Sequence, residues 1–556
     1  MKFKAFLLSA IALVLFVGCE RNIEPEFNSA ESFLAVQIVS PSDAATKGTQ
    51  GGFTSGTADE AKINNAYFYF YDVSGNFVVK GETLGALTTT NVDNNVERRI
   101  NATIVLRNVS VLPDQMLIVL NLPAADDSKF DNKSLTQAQA AITNLYRNAT
   151  DSYIMTTSTY LKKDETPKIV CTTRDIGTYL ETTEAAALAN PVTAYVERLA
   201  VKGNLTIKDA ATTAGMPNVT PASFTTVQAP FQSNQEDVTI RLNGWKFSNL
   251  NKQSYYIKKI DDTWDFTWNW NDYTSGGTTW GGKYRTFWAQ DANYTDGVYP
   301  TSYSNFISTH GGDASAISLT YLSYNDVAAD AWLGADYCHE NTIAGGLLTD
   351  SKYKSAATNI LLAAQVKLAS AGAYTTLYRF NGVFYDWAQY SAILAQNMNT
   401  KGYRKTGNLE YAAGDFQQPD PSVASTHTHL YDGKIKPLLT TAASTDSDAG
   451  AITYLADDRF ITEVFTDGKM YYSISIEHFL NPDYTKNHAT TPFIVGDFGV
   501  VRNHWYQVTV TDIKHVGTGV FKDDEPIVPH DDPSTRYLAA QINILAWQTV
   551  TQNVEL

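Results

Sequence analysis

Cysteine is scarce in this chain, with three residues in 556. This count excludes a disulfide-stabilised scaffold, in which several bridges replace a large hydrophobic core. Cys171 and Cys338 allow at most one disulfide, and two buried free thiols are the alternative, because sequence does not give their separation. A chain of this length therefore depends on the hydrophobic cores of two or three domains for its stability.

Basic side chains are also few: the chain has 42 Lys and Arg residues against 58 Asp and Glu residues, which gives a formal net charge of −16. Nucleic acids and anionic membrane surfaces are bound through concentrated basic patches, so the charge balance argues against both as partners. Tyrosine is abundant instead, with 32 Tyr beside 25 Phe and 10 Trp. Such a composition is typical of β-sheet proteins.

Recognisable catalytic motifs are missing. The chain has no Gly-x-x-x-x-Gly-Lys loop, dinucleotide fingerprint, Gly-x-Ser-x-Gly elbow or Cys-x-x-Cys pair. His427 and His429 are the best metal candidate, but no further ligand is recognisable nearby, so we expect solvent-facing histidines in a loop. Acidic clusters at 523–525 and 530–532 are interpreted as solvated loops. We predict that the chain is not an enzyme and holds no metal or cofactor.

The N-terminus carries a short basic and apolar leader. Lys2 and Lys4 precede the apolar run from Ala5 to Gly18, whose 14 residues reach about 21 Å as a helix, short of the ~30 Å bilayer core. The run ends in Phe-Val-Gly-Cys, which is similar to a bacterial lipobox with Cys19 as the lipidated residue. We therefore expect residues 1–19 to be a lipoprotein signal peptide ending in the lipobox cysteine.

The next segments predict one strand and one protease-accessible loop. Phe33 to Val39 is apolar and reads as a strand, bounded by a Ser-Pro-Ser-Asp turn. Asp43 to Lys62 contains four glycines and many small residues, which predicts an exposed, flexible loop of the kind that proteases cut. Lys47 lies inside this loop.

Strand and turn patterns continue to about residue 260. A hairpin is predicted over Ala66–Lys80, and a capping box of Ser134 with Gln137 predicts a short helix. Further strands are predicted at 97–109, 114–122, 194–207 and 238–245. This order favours a mostly β fold, a β-sandwich decorated with a few helices.

The composition changes near Asp261, where a stretch rich in Trp, Asn and Gly begins, and we place a domain boundary there. Beyond it, Ile360–Leu368 is compatible with helix or strand, and strand is favoured because a strand pattern follows at 375–384. Asp386 with Gln389 predicts the start of a helix that runs through Met398. Further strands are predicted at 470–476 and 500–513.

The last segment, Tyr537–Leu556, alternates apolar and polar residues over a length unusual for one strand. Either it forms two strands with a kink near Ala546, or its end projects from the domain. An ordinary pair of C-terminal strands is the alternative interpretation.

Four segments together resemble the Bacteroidales fimbrillins, the type V pilins. They are Gly499–Tyr506 (Gly-Val-Val-Arg-Asn-His-Trp-Tyr), Tyr337–Thr342 (Tyr-Cys-His-Glu-Asn-Thr), Gly468–Tyr472 (Gly-Lys-Met-Tyr-Tyr) and Ile240–Ile257. With the lipobox, they are most similar to the branch that contains the shaft subunit of the minor fimbriae. The resemblance extends over the whole chain.

The resemblance implies two transthyretin-like β-sandwich domains and a maturation pathway. It implies a lipidated precursor at the outer membrane, a trypsin-like protease that cuts between Lys47 and Gly48, and an extracellular fimbrium. Known members present Arg at the cleavage position, and Arg21 and Lys62 are competing sites. The implied division is a propeptide at 20–47, an N-terminal domain with an acceptor groove at 48–260, a C-terminal domain at 261–540 and a donor strand at 541–556.

The implied assembly exchanges one strand for another. The strand removed with the propeptide includes Phe33, Leu34, Val36, Ile38 and Val39. The C-terminal strand of the next subunit replaces it and carries the apolar residues Ile542, Ile544, Ala546, Trp547, Val550, Val554 and Leu556. The implied partners are copies of the chain in a filament, accessory, tip and anchor fimbrial subunits, and the processing protease. No catalytic role is implied for Arg502, Asn503 or His504, for which we expect a turn and the entry to a strand.

Two other functions remain open at this stage. One is a surface lipoprotein that binds glycans or host molecules, including a tip or accessory adhesin, since aromatic residues between Trp264 and Trp288 suit sugar stacking. The other is a secreted hydrolase of β architecture, whose carboxylates would converge only in space.

Overall fold

The computed structural model of the chain describes residues 29–41, 56–90, 96–162, 168–207, 223–231, 234–261, 283–285, 288–294, 318–328, 333–344, 353–478, 495–513, 515–529, 540–541, 545–546 and 548–555. These residues form mostly β-strands with a few short helices, as predicted. None of the helices among them has the length and apolarity that crossing a bilayer requires.

Residues up to Arg198, which we call the first half of the chain, contain ten strands and two helices within the described ranges, and the residues after Arg198 are called the second half. The strands are β1 (Ser29–Pro41), β2 (Ala66–Tyr71), β3 (Phe77–Thr90), β4 (Val96–Val109), β5 (Gln115–Leu120), β6 (Ile142–Thr143), β7 (Met155–Thr157), β8 (Tyr160–Lys162), β9 (Ile169–Val170) and β10 (Val192–Arg198). The helices are α1 (Leu135–Gln139) and α2 (Glu184–Ala189).

The next ten described strands are β11 (Ala200–Ile207), β12 (Ser223–Phe231), β13 (Asn234–Ser248), β14 (Leu250–Asn251), β15 (Ser254–Tyr255), β16 (Lys283–Arg285), β17 (Leu319–Thr320), β18 (Asp336–His339), β19 (Asn341–Thr342) and β20 (Asn359–Leu368). The later strands are β21 (Leu377–Phe380), β22 (Val383–Tyr385), β23 (His427–Tyr431), β24 (Lys434–Pro437), β25 (Thr462–Phe465), β26 (Lys469–Ser475), β27 (Gly499–Val500), β28 (His504–Asp512), β29 (Thr518–Gly519), β30 (Ala540–Gln541), β31 (Leu545–Ala546) and β32 (Gln548–Glu555).

The described helices of the second half are α3 (Tyr324–Ala328), α4 (Tyr353–Ala356), α5 (Trp387–Thr400), α6 (Thr441–Thr445) and α7 (Ala449–Leu455). Single 3₁₀ turns occur at Ala124–Lys129, Ile176–Tyr179, Thr406–Asn408, Ala413–Asp415, Ala424–Thr426, Asp458–Phe460 and Thr466–Gly468.

A closed barrel forms from the first half. Its hydrogen-bonded order is β1, β10, β7, β5, β2, β3, β4 and back to β1. Alternating apolar side chains from these strands fill its interior, among them Phe68 and Phe70 of β2 and Ile118 of β5. The opposite face of β2 and β5 is covered by a second apolar layer that includes Phe130 and Tyr256. Both faces of these two strands are therefore buried.

Two larger sheets form from the second half. One has the order β18, β11, β28, β31, β32, β30, and the other has the order β23, β24, β25, β21, β22, β12, β13, β20, β26, β29. Their facing sides share one core that contains Val201, Trp245, Leu362 and Val508. Strands 200–207 and 234–248 therefore pair with the second half of the chain, and the change of sheet occurs between β10 and β11, well before the predicted boundary at residue 261.

A helical layer covers part of the ten-stranded sheet. α5 packs through Tyr390, Leu394 and Met398 against apolar residues of β21, β24 and β25. Its start is fixed as the sequence predicts, because the side chain of Asp386 accepts a hydrogen bond from Gln389 N–H at 2.9 Å. The same type of box at Ser134 begins α1.

Most predicted strands are confirmed, including the one at Phe33–Val39 and the strand favoured at Ile360–Leu368. The predicted flexible loop is wrong at its C-terminal end. Residues 58–61 form a turn in which Glu60 and Ala61 are 1% and 6% exposed. The run of small residues does not predict this turn, because Lys202 and Tyr337, the partners of Glu60, lie far away in sequence.

Candidate functional site

The strand expected to be removed is a central element of the barrel. Leu34, Val36 and Ile38 of β1 are 0%, 1% and 0% exposed and belong to the barrel core. They lie two residues apart, so all three project from the same face of the strand. Phe33 is half-buried, and the side chain of Val39 lies outside the described residues. β1 therefore forms part of the wall and part of the filling of the barrel.

Main-chain hydrogen bonds hold β1 on both edges. It runs antiparallel to β4, from the pair Ser29–Val109 to the pair Pro41–Val96. On the other edge it runs parallel to β10, from Val36–Val192 to Val39–Tyr195. Ahead of this pairing, Phe33 and Glu181 exchange N–H···O bonds of 2.8 and 2.9 Å. Without β1, the edges of β4 and β10 would face each other across an apolar groove.

The expected donor segment lies at the edge of the six-stranded sheet. β32 runs parallel to β28, from the pair His504–Gln548 to the pair Asp512–Glu555. β30 and β31 both run antiparallel to β32, so the chain reverses between Ala546 and Gln548. This arrangement is compatible both with two strands broken near Ala546 and with the ordinary pair of C-terminal strands. Within its described residues the segment is therefore paired inside its own subunit.

The described residues contain only part of the predicted sites. Ala546 lies on β31, and Val550 and Val554 lie on β32, where they pair with Tyr506 and Val510 of β28. The remaining predicted residues lie outside the described ranges: Cys19, Lys47, Gly48, Ile542, Ile544, Trp547 and Leu556.

Arg502 holds the two halves of the chain together. Its guanidinium pairs with the carboxylate of Glu340, and both side chains are fully buried, with 3.0 Å between Nε and Oε1. The guanidinium also donates to the main-chain oxygens of Tyr255 at 2.6 Å and Tyr256 at 2.9 Å, and to Oγ of Ser254 at 2.9 Å. Because β15 pairs with β6 of the first half, the hydrogen bonds from Arg502 to residues 254–256 tie the barrel side to the start of β28.

Asn503 continues this junction. It adopts a left-handed conformation with φ of 58°, and β28 begins at the next residue, His504. Its N–H donates to the oxygen of Ala200 at 2.8 Å, and its Oδ1 accepts from the N–H of Arg198 at 3.2 Å. The expected turn and strand entry are thus present. Sequence reasoning missed the junction itself, because Arg502 and Glu340 lie 162 positions apart and neither residue alone indicates the pair.

Within the described residues, the two cysteines form no disulfide and the histidine pair belongs to no cluster of metal ligands. Cys171 and Cys338 are both free and buried, and burial raises the pKa of the Cys171 thiol to about 11. His427 and His429 lie on β23, not in a solvent-facing loop as expected. Burial chiefly lowers the pKa of His427 to about 4, and Nε2 of His429 lies 2.5 Å from Oε2 of Glu525. Among the described residues, no group of three or more His, Cys, Asp or Glu side chains could hold a metal ion.

Several solved structures are similar to this chain at low identity. A candidate cell adhesion protein from Parabacteroides distasonis is 11% identical with a TM-score of 0.32, over 94% of this chain and 98% of that chain. A candidate cell adhesion protein from Bacteroides eggerthii gives the same two values over 95% and 99%. The tip fimbrial protein Mfa3 from Porphyromonas gingivalis, with C-terminal truncation, is 11% identical with a TM-score of 0.26, over 64% and 80%. TM-scores this low do not establish a shared fold. No curated protein sequence matches the chain.

The C-terminal region gives a direct family match. Residues 463–553 match the family model of the C-terminal region of fimbrillin, the major fimbrial subunit protein type IV. The matched stretch contains Gly468–Tyr472 and Gly499–Tyr506, two of the segments that carry the resemblance, and it extends from β25 into β32. The match covers about a sixth of the chain, and over these residues the protein is similar to the C-terminal region of fimbrillins.

Proposed function

We propose that this protein is a fimbrial shaft subunit that polymerises by exchange of strands between subunits. In this proposal the precursor is lipidated at Cys19 and reaches the outer membrane surface, where a trypsin-like protease cuts between Lys47 and Gly48. Release of residues 20–47 removes β1. The C-terminal segment of a second copy then takes its place, and the filament supports adhesion together with tip, accessory and anchor subunits.

The observation that carries the proposal is the position of β1. It fills the core through Leu34, Val36 and Ile38, and it is followed directly by the glycine-rich segment that contains Lys47. A strand that precedes a protease-accessible segment can be released without cutting the rest of the barrel. This combination favours strand removal over a permanent structural role.

Loss of β1 leaves a strong driving force for replacement. Burial of three aliphatic side chains stabilises by about 1.5–3 kcal/mol each, so roughly 5–9 kcal/mol of apolar burial is lost with them. The unpaired edges of β4 and β10 add hydrogen-bonding groups that a new strand would satisfy. A replacement strand from another subunit recovers both contributions.

The C-terminal segment supplies a strand of suitable pattern. Residues 541–556 alternate apolar and polar side chains, as a strand with one buried face requires. In the isolated subunit β32 pairs with β28 and with β30 and β31, so it has to leave these pairings before it enters another barrel. Because donor and groove lie on different surfaces, the contact is head-to-tail and produces an open filament.

The finer fold assignment belongs to the same proposal. The barrel core and the core of the two larger sheets are separate apolar clusters, as expected for two transthyretin-like β-sandwich domains. Opening of the barrel at β1 would leave the remaining strands with two free edges, ready to accept one donor strand.

The test uses purified precursor without residues 1–19, treated with limiting trypsin. We expect an intact mass that corresponds to a start at Gly48, followed by a ladder of SDS-resistant oligomers on an unheated gel. Two control chains isolate the steps: Lys47→Gln should block both cleavage and oligomers, and a chain ending at residue 540 should be cleaved without oligomers. Cleavage at Lys47 without oligomers, even after addition of mature subunits, would instead indicate an accessory adhesin.

A further inference from the structure

The segment that follows the expected cleavage loop is fixed to the junction between the two halves of the chain. We call residues 57–65 the anchor segment. Inside it, Thr57 N–H donates to Oε2 of Glu60 at 2.8 Å, and Glu60 N–H donates back to Oγ1 of Thr57 at 3.3 Å. These reciprocal bonds hold residues 57–60 in a turn, away from the extended form in which proteases bind their substrates.

Glu60 fixes the turn to the second half of the chain. Its Oε1 lies 2.6 Å from Nζ of Lys202 on β11, and the hydroxyl of Tyr337 on β18 donates to the same oxygen. The guanidinium Nε of Arg198 donates to its main-chain oxygen at 2.9 Å. Burial opposes ionisation of Glu60, but the bonds from Lys202 and Tyr337 outweigh it and lower its pKa. The carboxylate is therefore charged and paired at neutral pH.

Asn121 fixes the other end of the anchor segment. This fully buried side chain donates through Nδ2 to the main-chain oxygen of Lys62 at 2.8 Å and accepts through Oδ1 from the N–H of Asn64 at 2.7 Å. Its own N–H donates to the oxygen of Asn65 at 3.0 Å. The peptide bond between Lys62 and Ile63 is thus held on both sides, although the side chain of Lys62 is exposed.

We infer that the anchor segment determines where a trypsin-like protease stops, by denying it the bond after Lys62 and leaving the bond after Lys47. Lys62 has the residue type that such a protease recognises, and it lies only 15 positions beyond Lys47 (62 − 47). A cut there would remove Glu60 and with it the contacts to Lys202 and Tyr337. Glu60 is therefore the residue that sets the boundary of maturation.

This inference rests on the proposed processing, and the cleavage site is its direct readout. The rate at which a protease cleaves a bond inside folded structure is proportional to the fraction of molecules in which that segment is transiently open. Glu60→Gln removes the charge that pairs with Lys202, so cleavage after Lys62 should accelerate by at least about tenfold. The matched control is Asp59→Asn, an equal charge change at the exposed neighbouring residue, which should leave the cleavage pattern unchanged.

The experiment digests full precursors without residues 1–19 with trypsin and follows fragment masses over time. Wild type and D59N should give a start at Gly48, and E60Q should add a product that starts at Ile63. Tyr337→Phe, which removes one hydroxyl, should give a smaller increase, and circular dichroism should show that each variant is folded. Wild-type cleavage after Lys62 as fast as after Lys47 would overturn the inference, as would E60Q and Y337F digests identical to wild type.

The two proposals fail differently in this assay. Correct cleavage boundaries without SDS-resistant oligomers would refute polymerisation and leave the role of Glu60 intact. Wild-type chains that are cleaved after Lys62 as fast as after Lys47, with SDS-resistant oligomers still forming, would refute the role of Glu60 and leave polymerisation intact.

Discussion

Truncation of one side chain on β1 measures how much this strand contributes to the precursor. Ile38 is fully buried and lies between Ile100 of β4 and Ala194 of β10, which are 3% and 1% exposed. Ile38→Ala removes three carbon atoms, worth about 2.4 kcal/mol of transfer free energy at ~0.8 kcal/mol each. The remaining cavity increases the loss, so the free energy of unfolding should fall by about 3–4 kcal/mol.

The assay is urea denaturation of the precursor without residues 1–19, with midpoint and slope determined for each variant. Gln37→Ala is the matched control, because Gln37 is half-buried, adjoins Ile38 and lies between the same two strands. The free energy of unfolding of Q37A should fall by less than about 1 kcal/mol. If I38A and Q37A unfold at the same midpoint with the same slope, β1 is not part of the barrel core and the reasoning fails.

The same substitution separates precursor from filament. In the proposed assembly β1 leaves with the propeptide, so filaments grown from I38A subunits should match wild-type filaments in resistance to urea. A filament weakened as much as its precursor would mean that β1 stays in place.

Three further measurements test other parts of the structure. Arg502→Met should lower the free energy of unfolding by about 3–5 kcal/mol, because it leaves Glu340 buried and unpaired. The control Arg404→Met, at the exposed pair with Glu410, should lower it by less than about 1 kcal/mol. Equal losses of the two variants in urea denaturation would refute a junction role for Arg502. Burial lowers the pKa of His339 from 6.5 to about 4, so only the unfolded chain takes up a proton between these values. Stability should therefore be complete above pH 6.5 and fall by up to about 3 kcal/mol towards pH 4, and in His339→Gln this loss should be smaller by that amount. Burial raises the pKa of both the Cys171 and Cys338 thiols, so the native protein should not react with a thiol reagent at pH 8 until urea unfolds it, and rapid native labelling would contradict the buried placement.

Local features of this fold could be predicted from sequence because their causes lie within a few residues. The hairpin of β2 and β3 follows from two apolar runs around Ser74-Gly75-Asn76, and α1 and α5 begin at capping boxes whose two partners are three residues apart. β1 was predicted as a strand from its apolar run alone. Its neighbours in the barrel, β4 and β10, could not be predicted, since its pairing with β10 joins residues more than 150 positions apart (192 − 36).

Long-range charge pairs account for most of what the sequence did not predict. Glu60 lies in a segment of small residues whose pattern predicts a flexible loop, but its contacts with Lys202 and Tyr337 make it a buried anchor. Arg502 and Glu340 are separated by 162 positions, and neither alone indicates a fully buried pair. The two partners of such a pair meet only in the folded structure, so neither composition nor local sequence indicates that they pair.

The two classes of interaction have different consequences for a subunit that, in the proposed assembly, loses one strand and keeps the rest. β1 is held chiefly by aliphatic burial and main-chain bonds, which any strand with the same alternation can supply. Its described ion pair, Glu31 with Arg107, is exposed on both sides and therefore contributes little. The anchor segment and Arg502 are held by buried charges whose partners have to be those residues in that geometry. Replaceable contacts thus lie on the strand that we propose is exchanged, and specific contacts lie where the mature chain has to stay fixed.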